Sequence, residues 1–139
     1  MNIIKRSLVI TIPLLLLTGC MHLNDPRPKH YKAPVTTVAN KVCVIVQPEA
    51  DEQIVTIRIN EIGNDNNTLE KYGLAVIASA ERCVTDFGYA FAAGKAYNFM
   101  VILESPEKKK RGVQPSARIY GASFSLWRLN GKPQATPLY

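Results

Sequence analysis

The stretch that decides the fold is CVTDFGYAFAAGKAYNFMVILES, residues 83–105. Phe87, Tyr89 and Phe91 alternate, a turn follows at residues 92–95, and Tyr97, Phe99, Val101 and Leu103 alternate again. Successive side chains of an extended chain point to opposite faces, so each set lies on one face of a strand. The neighbouring runs agree. KVCVIVQP, from Lys41, puts Val42, Val44 and Val46 on one face, with Cys43 and Ile45 on the other. QIVTIRIN puts Val55, Ile57 and Ile59 together, opposite Thr56, Arg58 and Asn60. EIGNDNNT then reads as a turn or loop, rich in residues that tolerate left-handed backbone. Near the end Tyr120, Ala122, Phe124 and Leu126 share a face, and Asn130-Gly131 is a tight-turn signal. Residues 69–83 have apolar positions near helical spacing, but Gly73 and the flanking strands favour two short strands, around Leu69–Tyr72 and Ala75–Ser79.

An aromatic, a short Gly-containing corner and a tyrosine heading an apolar strand resemble the E–F corner of immunoglobulin-like sandwiches. That resemblance makes Tyr97 a corner tyrosine, its hydroxyl bonded back to upstream backbone; otherwise it is one more half-buried strand aromatic. The chain of 139 residues is enough for one domain. Short strands at this density predict an all-β, immunoglobulin-like antiparallel β-sandwich over residues 41–139. Residues 20–40 contain Pro26, Pro28 and Pro34 and read as an extended tether; its reach of roughly 60 Å is a ceiling, because the part near Ala33–Val38 also reads as an edge strand docked on the domain.

The N-terminus carries Lys5 and Arg6, then an apolar run from Leu8 to Leu17 broken only by Thr11 and Pro13. A membrane span needs roughly 20 apolar residues, so residues 1–19 read instead as an export signal. Leu17-Thr18-Gly19-Cys20 resembles the bacterial lipoprotein box. That resemblance implies lipid on the Cys20 sulfur and a further acyl chain on its amine. Each buried methylene contributes about 0.8 kcal/mol, and two chains suffice for stable anchoring. Met21, rather than aspartate, follows the cysteine, which favours the periplasmic face of the outer membrane. With Cys20 lipidated, the odd count of three cysteines leaves Cys43 and Cys83, and an oxidising periplasm predicts a structural disulfide between them. Without Lys5 and Arg6 the chain holds 15 cations against 11 acids, a mild excess that suits an anionic partner; the compartment argues against nucleic acid.

Nucleophilic catalysis needs a nucleophile beside a base. The only histidines, His22 and His30, lie in the predicted tether, so neither catalysis nor a Cys/His metal site is expected. The acids Asp51 and Glu52, and Glu81 and Asp86 flanking Cys83, read as solvated surface. No cofactor is expected beyond the lipid on Cys20, and no small-molecule substrate. In SPEKKKRGVQPS, residues 105–116, the four cations Lys108, Lys109, Lys110 and Arg111 mark an exposed loop. It is either a solvated hairpin tip or an electrostatic contact with lipid head groups, lipopolysaccharide or an acidic protein. The loop at residues 61–67 is a second contact edge of weaker signal.

The lipobox and HYKAPV, Cys43 in VCVIV, and ERCVTDFGYAFAAGKAY together resemble a family of small enterobacterial lipoproteins described as type VI secretion immunity proteins. What the resemblance implies is an anchored, non-enzymatic sandwich that binds a toxic effector arriving in the periplasm and blocks it. The rival expectation is a structural or envelope-maintenance lipoprotein, accessory to a secretion apparatus. Deletion separates them: loss of an immunity protein sensitises cells only to siblings carrying the toxin, whereas loss of an envelope component weakens cells grown alone.

Overall fold

The computed structural model describes residues 26–139. The expected export signal and the expected lipidation at Cys20 fall outside the described residues. The described chain is all-β apart from one short helix, and it is sandwich-like. Its strands are β1 (Lys29–Lys32), β2 (Val35–Val38), β3 (Lys41–Val44), β4 (Gln53–Glu61), β5 (Asn64–Lys71), β6 (Val76–Ile77), β7 (Lys95–Glu104), β8 (Ala117–Leu129) and β9 (Lys132–Pro137). The helix α1 spans Pro106–Lys110, between β7 and β8.

The main sheet runs β1-β8-β7-β4-β5, with β9 beside β8 and β6 beside β4. β2 and β3 form a separate two-stranded sheet. Alternation builds the core as the sequence predicts for β7 and β8: Tyr97, Phe99, Val101 and Leu103 face Tyr120, Ala122, Phe124 and Leu126, and all are buried. Val44 and Val46, on and just beyond β3, complete the cluster from the second layer. Burying each large apolar side chain contributes about 1.5–3 kcal/mol, so this inner face carries most of the fold's stability. The strand order gives no immunoglobulin-specific assignment.

Four local readings change. β1 pairs with β8 in parallel, Lys29 opposite Arg118, so the main sheet is mixed rather than purely antiparallel. The folded domain therefore starts near Lys29: β1 takes up part of the predicted tether, and β2 falls on the edge strand expected near Ala33–Val38. In β4 a register shift between Ile54 and Thr56 resets the alternation. Ile54, Ile57 and Ile59 are buried in consequence, while Val55 is only half-buried. Finally, Asn64–Lys71 is a strand joined to β4 by a two-residue turn, and residues 78–94 contain no strand at all.

Candidate interaction site

The register defines two ends of the main sheet. At the proximal end Lys29 meets Arg118, Ala117 meets Glu104, and Glu104 meets Gln53. At the distal end Leu126 meets Lys95, and Phe124 meets Tyr97, which meets Glu61.

An open cleft of about 590 Å³ lies at the distal end. One wall is the β2–β3 turn, where Ala39 and Asn40 both have positive φ. Another is the β8–β9 turn, where Asn130 (φ 51°) and Gly131 (φ 76°) do the same. Two left-handed residues in a two-residue hairpin loop follow the strand twist, so both walls are stiff. The third wall is the irregular segment 86–93, whose Tyr89 and Phe91 line the cleft beside Leu126.

That segment is irregular because its aromatics dock on side chains rather than joining a ladder. Phe91 and Tyr89 meet the Tyr97 ring edge-on, with centroids 4.9 and 5.8 Å away, and Phe91 also approaches Phe124. The backbone bends through Phe87 (φ 51°) and Gly88 (φ 75°), held by an Asp86 carboxylate that accepts from the Gly88 N–H at 2.9 Å. Five further ties fix it. The Tyr97 hydroxyl accepts from the Ala92 N–H at 2.8 Å and bonds back to the Ala92 carbonyl. The Tyr89 hydroxyl donates to the Asn67 carbonyl at 2.9 Å, and burial raises its pKa above the usual tyrosine range. Gly94 N–H donates to the Leu126 carbonyl. The Cys43–Cys83 disulfide joins β3 to the start of the segment, and Val84 N–H donates to the Val44 carbonyl. Cys43 is buried and Cys83 exposed.

The cleft carries Lys41 and Arg128 on its rim and Asp86 as its one carboxylate. Its lining has no histidine, serine, threonine or cysteine. Among the described residues no group of three or more histidine, cysteine, aspartate and glutamate side chains is placed to hold a metal. His30 is exposed on β1.

The four cations read from the sequence sit at the other end. Lys108, Lys109 and Lys110 are on α1 and Arg111 caps it, so the expected loop contains a helical turn. Asp51 explains why. Ser105 Oγ donates to its carboxylate, the Glu107 N–H donates to it at 2.9 Å, and Ser105 Oγ in turn accepts from the Lys108 N–H at 3.1 Å. These bonds hold the Asp51 carboxyl below its ordinary pKa. Glu52 overturns the reading of that acid pair as solvated. It is 8 % exposed and receives two bonds from the Arg118 guanidinium, one at 2.8 Å from Nε. Burial alone would raise its pKa; the Arg118 bonds and the Glu49 N–H outweigh burial and lower it.

Arg118 escaped the sequence reading. Besides Glu52 it donates to the Gln47 carbonyl at 2.7 Å and to the Tyr120 hydroxyl, and it lies 5.2 and 5.4 Å from the Tyr31 and Tyr120 ring centres. The signal was there: the alternation that turns Tyr120, Ala122, Phe124 and Leu126 inward also turns Arg118 inward. A cation on that face requires a carboxylate. The loop expected at residues 61–67 is instead a hairpin whose Glu61 is buried and bonded to Lys95 at 2.9 Å, tying β4 to β7.

The chain belongs to the family described as Domain of unknown function (DUF7480), whose model matches residues 30–129. That match starts within β1 and ends at the last residue of β8. No curated protein and no solved structure matches the chain.

Proposed function

We propose that the protein is a lipid-anchored periplasmic binding protein that neutralises a type VI secretion effector by direct binding. Cys20 tethers it to the periplasmic face of the outer membrane, and the distal cleft receives a segment of the effector. The observation that carries this reading is the cleft's stiffness. Two left-handed hairpin turns and a segment fixed by a disulfide, a buried tyrosine and backbone bonds form its walls. A site already in its bound shape loses little entropy on association, which favours tight binding by few residues. A cleft of this volume takes one or a few side chains, so it acts as the central pocket of a larger protein–protein contact. The reading is of binding: Lys41, Arg128 and Asp86 offer charged contacts at a cleft floored by Tyr89, Phe91 and Leu126.

The test is capture of the effector encoded beside this chain by the acylated protein, together with growth against sibling cells that deliver it. Capture is expected, as is protection that weakens at least tenfold for Lys41→Glu with Arg128→Glu. Clean failure with every neighbouring candidate removes the proposal, and so does growth impairment of the deletion strain in isolation.

A further inference from the structure

The chain joins the sheet at the end opposite the cleft. Lys29 pairs with Arg118 at the start of β8, directly beside α1. The nine peptide steps from Cys20 to Lys29 reach at most about 30 Å. β8 alone, at 13 residues, is about 40 Å long. An anchor at Cys20 therefore holds the proximal end near the bilayer.

That same end carries a run of basic residues. Lys109, Lys110 and Arg111 are exposed and Lys108 partly so, while Arg27 and Lys29 are exposed on the arriving chain. The nearby acids are engaged: Asp51 with α1, Glu52 with Arg118, Glu104 with Lys109 and Glu107 with Arg111. Glu49 lies 3.6 Å from Arg118. The Arg111–Glu107 pair is exposed on both sides and yields readily to a stronger anionic surface, and the Lys109 ammonium is exposed although its partner Glu104 is half-buried. Ser105 caps α1 and Asp51 braces it, so its cations project from a defined turn rather than a slack loop.

We propose that the proximal end is a membrane-facing surface. The α1 cations and Arg27 and Lys29 lie against anionic lipid head groups, and the cleft is thereby held pointing away from the bilayer. This rests on Cys20 being the anchor. A cation within a Debye length of an anionic surface strengthens the contact roughly fivefold. The surface orients the protein, and the lipid retains it.

The experiment uses the full acylated chain in vesicles of phosphatidylethanolamine with phosphatidylglycerol, or of phosphatidylcholine alone. With Cys20 acylated and Cys43 bonded to Cys83, an introduced cysteine is the single reactive thiol. A fluorophore is placed at Lys110→Cys or at Lys132→Cys, and quenching by a head-group-borne quencher is read. Stronger quenching at 110 than at 132, by roughly fivefold, is expected with phosphatidylglycerol, and the ratio falls severalfold in phosphatidylcholine or after Lys108→Glu with Lys109→Glu. Equal quenching at both positions in anionic vesicles overturns the orientation while leaving the anchor intact, and assigns α1 to solvent or to an acidic protein. Failure of the chain to float with either vesicle removes the anchoring reading and the orientation with it.

Discussion

The two ends of one sheet are held by different physics. At the proximal end, charge does the holding: Arg118 clasps the buried Glu52 and the Gln47 carbonyl, and Asp51 braces α1. At the distal end, aromatic edges and two left-handed turns do most of it, beside a single ion pair, Glu61 with Lys95, while the disulfide ties β3 to the cleft-supporting segment between the two ends. The first kind of bonding responds to pH and salt; the second hardly does. The lesson concerns placement. The cleft is walled mainly by aromatic, covalent and backbone constraints, with the Asp86 carboxylate on the Gly88 N–H among them, while the Arg118–Glu52 clasp sits at the opposite end of the sheet, beside the start of β8.

The largest effect expected from separating the two ends is at Arg118. Arg118→Met leaves Glu52 buried without its cation, which costs about 3–5 kcal/mol in urea unfolding. The pH sign follows. In the native chain the Glu52 pKa is lowered, so its contribution is complete above the ordinary carboxylate range and is lost as pH falls below about 4. With the cation gone, burial dominates and raises that pKa, so the variant becomes less stable as pH rises from 4 towards 7. Adding Glu52→Gln recovers much of the loss and flattens the profile. A cost under about 1 kcal/mol would mean the proximal end is not held by this pair.

Next is the disulfide. Cys43→Ala with Cys83→Ala releases a loop of sequence separation 40, and about 2–4 kcal/mol is expected in thermal or urea unfolding. The loss should be spatially uneven: amide exchange rises through residues 84–94, which line and support the cleft, and is unchanged at residues 105–111. Uniform loosening would erase the distinction between the ends.

How much of this was legible follows the same division. The inner faces of β7 and β8 were readable because strict alternation and burial coincide there. The Cys43–Cys83 bond followed from parity once Cys20 was set aside, and the tight turn at Asn130-Gly131 from residues that accept left-handed backbone. β1 was not readable, since all four of its residues are exposed and an edge strand with no buried face leaves no period. The Phe87, Tyr89, Phe91 alternation misled for the opposite reason. Tyr89 and Phe91 cluster on Tyr97 while Phe87 stays exposed beside Lys71, and a period of two cannot tell a ladder from a bent segment that docks some of its rings. The cleft itself was invisible in sequence because its walls come from residues 40–42, 86–93 and 126–133, brought together only by the layers.

Tyr97→Phe sharpens the distal side. Tyr97 is fully buried and its hydroxyl serves both the N–H and the carbonyl of Ala92. Removing it strands those backbone groups, a loss of about 1–2 kcal/mol with the ring packing retained. Binding should suffer more than stability, since Ala92 sits between Phe91 and Ala93 in the cleft wall. A loss of effector capture at a temperature where the variant is still fully folded would place Tyr97 as a positioning residue; a loss of capture no larger than the loss of stability accounts for would reduce it to packing.

The smallest effect is at Ser105. Ser105→Ala removes the α1 cap while Asp51 still accepts from the Glu107 N–H, so about 1 kcal/mol is expected in urea unfolding. Its value is as a control with opposite polarity to Tyr97→Phe. Fraying one helical turn slackens the Lys108–Lys110 cations, which lowers the vesicle quenching ratio between positions 110 and 132. The distal turns and the Tyr97–Ala92 bonds are untouched, so capture at the cleft should hold. If Ser105→Ala weakened capture as much as Tyr97→Phe does, the ends would be coupled through β7 and β8, and the division of labour between charge and packing would fail.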